Sequence, residues 1–167
     1  MADEHLYLFA LEITPMTVGT VYDELPLHCT LMHRFWSSLT PKALTDTLEP
    51  FFAQVQPILL TPYERLLLGP KKLAVSEVEV AGALKNLHMN LHRALNELGV
   101  EYTAPEWVGT GYRAHVTERK NAKLAVGQSH LSKAVYLIEV VDDRRVIRVK
   151  FELDSQSHDK KKPDLAG

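Results

Sequence analysis

Cysteine is nearly absent. Cys29 is the single one in 167 residues, so no internal disulfide can form, and the chain suits a reducing compartment. An excess of one charge is absent as well, since 19 Lys and Arg against 21 Asp and Glu leave a formal net charge of −2. That balance excludes a broad basic surface that coats nucleic acid through its field alone, so any anionic partner has to be held locally. No apolar run reaches the roughly 18 residues of a membrane-spanning helix, and Met1-Ala2-Asp3-Glu4-His5 is acidic where a secretory leader is basic. The expectation is a cytoplasmic, monomeric chain with no membrane partner.

What is present is ample material for a core. With 46% hydrophobic residues, a chain of this length folds as one domain that buries roughly 70% of its unfolded surface. His5 to Ile13 is rich in strand formers, Thr14-Pro15 and Gly19 mark a loop, and a second strand follows from Pro26. Thr40-Pro41 supplies an N-cap hydroxyl and a proline at the first helical position. Leu44, Leu48, Phe51, Phe52 and Val55 then recur at helical spacing, which predicts a helix over 41–55. Residues 57–68 and 72–80 read as strands about Gly69-Pro70, with Pro62 demanding an edge, a bulge or a break. Leu84, Leu87, Leu91, Leu95 and Leu98 form an apolar stripe on a second helix that Gly99 ends. Residues 131–141 and 145–153 alternate as a hairpin turning at Asp142-Asp143. Seven or eight strands and two helices in mixed order predict an α+β fold of mainly antiparallel sheet, with an approximate internal two-fold. The domain is expected to span 1–154. Residues 155–167, which carry Lys160, Lys161 and Lys162 and no core-forming run, are expected to be a disordered tail.

One short pattern occurs twice. Pro26-Leu27-His28-Cys29-Thr30-Leu31-Met32-His33-Arg34 is echoed by Arg113-Ala114-His115-Val116-Thr117-Glu118-Arg119, a His-x-Thr in each of two expected strands. Alternation puts His28, Thr30, Met32 and Arg34 on one face, opposite Leu27, Cys29, Leu31 and His33. In the second copy Arg113, His115, Thr117 and Arg119 oppose Ala114 and Val116. Side by side, the strands would line a cleft with imidazoles, hydroxyls and guanidiniums, a composition suited to phosphate. Imidazole, with an ordinary pKa of about 6.5, serves as base or acid near neutral pH. One of His28 and His115 can take a proton from attacking water while the other gives one to the leaving oxygen of a phosphodiester. Thr30 and Thr117 can donate to the non-bridging oxygens. No metal and no cofactor are demanded, and Cys29 falls on the buried face as a small apolar residue.

The pair His28-Cys29-Thr30-Leu31 and His115-Val116-Thr117-Glu118, in a chain of this length and element order, resembles the 2H phosphoesterase superfamily, which includes the 2′-5′ RNA ligases and cyclic nucleotide phosphodiesterases. The resemblance implies two pseudo-symmetric lobes of antiparallel sheet with outer helices around a central groove. It implies a metal-independent site with His28 and His115 as catalytic acid and base and Thr30 and Thr117 as phosphate ligands. The implied activity is hydrolysis of 2′,3′-cyclic phosphate or 2′-5′ phosphodiester bonds at RNA ends or in small nucleotides. Ligation of RNA through the same site, or non-catalytic binding of RNA ends, stand as alternatives. Glu118 departs from the usual hydrophobic fourth slot and points to an exposed strand end.

Around the motifs, Arg34, Arg113 and Arg119 are candidate phosphate contacts. Trp107 and Tyr112, in a glycine-bearing loop, are candidate stacking partners for a nucleobase. Phe35 and Trp36 are expected in the core, and His33 on the structural face. His88 and His92 sit at a zinc-capable i, i+4 spacing, but Met89 stands where a zinc-protease helix needs Glu. They are expected to form the polar margin of the leucine stripe.

Overall fold

Strand-forming residues bring β1 (His5–Glu12) and β3 (His28–Ser37) together at the centre of an antiparallel sheet. This computed structural model describes residues 3–153; the tail expected at 155–167 lies outside them. The other strands are β2 (Val21–Tyr22), β4 (Ile58–Leu60), β5 (Pro62–Leu68), β6 (Leu73–Val78), β7 (Glu101–Tyr102), β8 (Ala114–Thr117), β9 (His130–Ser132), β10 (Ala134–Val141) and β11 (Arg144–Glu152). The main sheet runs β2-β11-β10-β1-β3-β8-β6-β5, with β7 on β3, while β4 and β9 pair separately. Among the described residues eleven strands stand where seven or eight were expected, because β2, β4, β7 and β9 have only two or three residues each. Segments so short show no alternation to read. Pro62 behaves as proline must in a sheet, opening the edge strand β5 at a register shift.

Helix α1 (Pro41–Phe52) starts where the sequence places it, the Thr40 hydroxyl accepting from the Ala43 N–H at 3.2 Å. It ends before Val55 because the N–H groups of Gln54 and Val55 turn to the carbonyls of Phe51 and Phe52, three residues back. Helix α2 (Gly82–Glu97) is followed by Gly99 at φ 73°, the left-handed backbone that glycine enters freely. Leu44, Leu48 and Phe52 of α1 and Leu84, Leu87, Leu91 and Leu95 of α2 join Phe9, Leu11, Cys29, Leu31 and Val116 in one core. Both helices therefore cover the same face of the sheet. The other face carries a smaller cluster of Leu8, Ala10, Met16, Leu25, Tyr136, Ile138 and Ile147. Among the described residues no helix is long and apolar enough to cross a membrane.

Candidate functional site

The two His-x-Thr segments become neighbours through one pairing, Cys29 of β3 opposite Val116 of β8. Both side chains are fully buried and point to the helices. Alternation then sends His28, Thr30, His115 and Thr117 out of the opposite face. In this antiparallel register His28 faces Thr117 and Thr30 faces His115, so the histidines are diagonal neighbours about 7–8 Å apart at the backbone. A groove of about 630 Å³ opens there, lined by His28, Thr30, His33, Arg34, Thr117 and Arg119 among others, whereas His115 is not part of its lining.

Each imidazole is set by its own surroundings. His28 Nδ1–H donates to the Pro26 carbonyl at 2.9 Å, which leaves the Nε2 lone pair for the groove. Burial holds its pKa down at about 4, with Arg119, His115 and Arg145 adding repulsion and the Pro26 carbonyl opposing. His115 is also held below the ordinary range, first by burial and then by Arg113. Its Nδ1 is buried without a hydrogen-bond partner. Glu77, directly opposite His115 on β6, favours its protonated form.

The other expected residues divide. Arg34 and Arg119 line the groove. Arg119 Nε donates to the Leu25 carbonyl at 2.6 Å, so part of this guanidinium secures the turn before β3. Arg113 is turned aside: its Nε donates to Glu77 at 2.8 Å and its guanidinium lies 6.0 Å from the Trp107 ring. Trp107 is half-buried, 6.4 Å from His33. Tyr112 is buried, with its hydroxyl donating to the Thr30 carbonyl at 2.7 Å. It is no stacking platform but a strut beneath the first motif. Glu118 lies just past the end of β8 and accepts from Arg65 Nε at 2.6 Å. Burial raises the Cys29 thiol to about 12, which removes it as a nucleophile.

Strict alternation along β3 fails, and the site gains from the failure. Tyr7 pairs with Phe35, Phe9 with Met32 and Ala10 with Thr30, so β3 takes up an extra residue at each step. Met32 accordingly enters the core, against the face expected for it, and His33, expected on the structural face, lines the groove. Phe35 is in the core as expected, but Trp36 is 37% exposed. His88, expected at a polar margin, is fully buried. Its Nδ1–H donates to the Leu31 carbonyl and its Nε2 accepts the Gly109 N–H, both at 2.9 Å. Its ring stacks on Tyr112 at 3.9 Å. With both nitrogens committed it is a structural joint, not a metal ligand. Glu77 and Arg145 were missed altogether. A glutamate in an alternating strand and an arginine beside a hairpin turn carry no local mark of what they will face.

No family model matches the chain, and no curated protein matches it significantly. Solved structures do match. One is a phosphoesterase, at 13% identity and a TM-score of 0.57 over 92% of this chain and 100% of the other. Another is E. coli LigT solved with 3′-AMP, at the same identity, TM-score and coverage. A third is TT0787 of Thermus thermophilus, at 17% identity and a TM-score of 0.50 over 89% of this chain and 97% of the other. Likeness at such identities establishes a shared fold, the antiparallel α+β architecture expected from the element order.

Proposed function

We propose that this chain is a phosphoesterase of the 2H type, hydrolysing 2′,3′-cyclic phosphate or 2′-5′ phosphodiester bonds at RNA ends or in small nucleotides without a metal. The observation that carries the proposal is the Cys29–Val116 pairing, which supports it by bringing the two His-x-Thr segments side by side on the same face of the sheet. Support of a weaker kind comes from E. coli LigT, which shares the fold and has been solved with 3′-AMP and with NADP+. His28 is the base: its Nδ1–H is tied to Pro26, its Nε2 lone pair faces the groove, and burial first, then the neighbouring guanidiniums, disfavour its proton. His115 is the acid, because Glu77 opposite it helps to hold a proton there. Thr30 and Thr117 donate to the non-bridging oxygens as charge builds on them.

The test is turnover of a nucleoside 2′,3′-cyclic phosphate with chelator present, followed as a pH profile of kcat/KM, which reports the free enzyme. The base must be neutral, so activity rises through about 4 for His28. The acid must stay protonated, so activity falls as pH climbs through a His115 value held below 6.5. The expected profile is a bell with its maximum on the acidic side of 6.5, the two limbs belonging to the coupled pair. Glu77→Gln should move the alkaline limb to lower pH. A chelator-sensitive reaction, or one still rising above neutrality, would count against the mechanism.

The threonines offer a separate check. Thr30→Val and Thr117→Val preserve shape and branching and remove only the donor. Each is expected to lower kcat by about 10²-fold, near 3 kcal/mol in the barrier, with KM little changed. Unchanged kcat in both variants would remove the hydroxyls from the mechanism.

A further inference from the structure

The cations of the groove continue past the two motifs. Arg145, near the start of β11, donates from Nη1 to the carbonyls of Asp23 and Asp143, both at 3.0 Å. Arg119, beyond the end of β8, donates from Nε to the carbonyl of Leu25. Guanidiniums from distant parts of the chain thus grip the same short turn, Asp23–Leu25, just before His28, and both line the groove together with Lys71. Carbonyls accept these hydrogen bonds without cancelling the charge. The nearby carboxylates cancel little of it. Glu24 is 3.6 Å from Arg119 with its side chain 73% exposed, and Asp23, 85% exposed, pairs with Arg144, so both are screened by solvent. Like charges fixed beside each other repel, and an anion set between them removes that cost.

Resting on the phosphoesterase reading of the motifs, we propose that Arg119 and Arg145 form a second anion subsite, for a phosphate one nucleoside away from the phosphate between His28 and His115. The preferred ligand is then a nucleotide that carries a further phosphate, either as a terminal group or as the next linkage of an RNA end. A mononucleotide with one phosphate fills only half of the groove.

Calorimetry with adenosine 3′-phosphate, adenosine 3′,5′-bisphosphate and the dinucleotide 3′-phosphate tests this. At least one of the latter two should bind about tenfold tighter than the monophosphate, as a charge-assisted contact warrants. A gain for the bisphosphate assigns a terminal phosphate, and a gain for the dinucleotide assigns the linkage. Arg145→Gln should bring the bisphosphate and the dinucleotide down to the affinity of the monophosphate, and Arg145→Lys should keep most of the gain. A misfolded variant would weaken all three ligands alike, which the monophosphate arm detects. The gain should also shrink with salt, by roughly 0.7 in log Kd per log unit for one phosphate contact. Equal affinity for all three ligands in the wild type, or a gain that survives Arg145→Gln, overturns the subsite. Turnover of adenosine 2′,3′-cyclic phosphate is measured alongside. If it is absent while the gain persists, the hydrolytic reading fails and the subsite stands.

Discussion

His28→Ala and His115→Ala are each expected to lower kcat on a nucleoside 2′,3′-cyclic phosphate by about 10²- to 10⁴-fold, the usual contribution of a positioned acid or base. Neither change should unfold the protein. Both rings leave the sheet on the groove side, away from the core pair Cys29 and Val116. His28→Ala deletes one hydrogen bond, to the Pro26 carbonyl, for about 1 kcal/mol. His115→Ala removes a buried nitrogen that has no partner, so its stability should hold or rise slightly. Because the pair acts as a unit, the double variant should lose little more than either single one. Turnover within about tenfold of wild type in either single variant would dissolve the two-histidine mechanism.

The largest expected effect on stability belongs to His88, which touches no substrate. His88→Leu keeps the bulk but strands the Leu31 carbonyl and the Gly109 N–H, now joined through the imidazole at 2.9 Å on each side. It also removes the ring stacked on Tyr112. Orphaning two buried backbone groups should cost about 2–5 kcal/mol, seen as a lower denaturant midpoint at unchanged m-value. The pH dependence gives a second signature. Burial lowers the folded pKa of His88 from 6.5 to about 4, so between those values the unfolded chain binds the extra proton. The stability this neutral imidazole contributes is full above 6.5 and drains away as pH falls toward 4. The variant should lose that portion of the slope. A midpoint equal to wild type would show that the joint is dispensable.

What the sequence made legible was whatever repeats locally. The paired His-x-Thr segments, the leucine stripe, the Thr40-Pro41 helix start and the buried slot of Cys29 all follow from strand and helix periodicity and from capping chemistry. What escaped depends on partners distant in the chain. His33 enters the groove only because β3 takes up extra residues against β1, and nothing within β3 announces that mismatch. His88 looks like the rim of a stripe until Leu31 and Gly109, neither near it in sequence, arrive at its two nitrogens. Tyr112 looks like a free aromatic until the Thr30 carbonyl claims its hydroxyl. Arg145 joins Arg119 only through the turn that both hold.

The meeting of β3 with β8 also sets a timetable. Closing so long a loop costs entropy before it returns any contact, so a pairing of this range forms late in folding. β1 and β3 can form a hairpin early, and α1 can cover it. Yet Thr30 finds His115 only when Cys29 and Val116 are in register. On the proposed mechanism, a chain still emerging from the ribosome, with β8 unmade, would hold half of the proton relay and could not turn over a phosphodiester. Catalysis by such a pair would be a property of the finished molecule, and in a refolding experiment its return should coincide with the last structural phase.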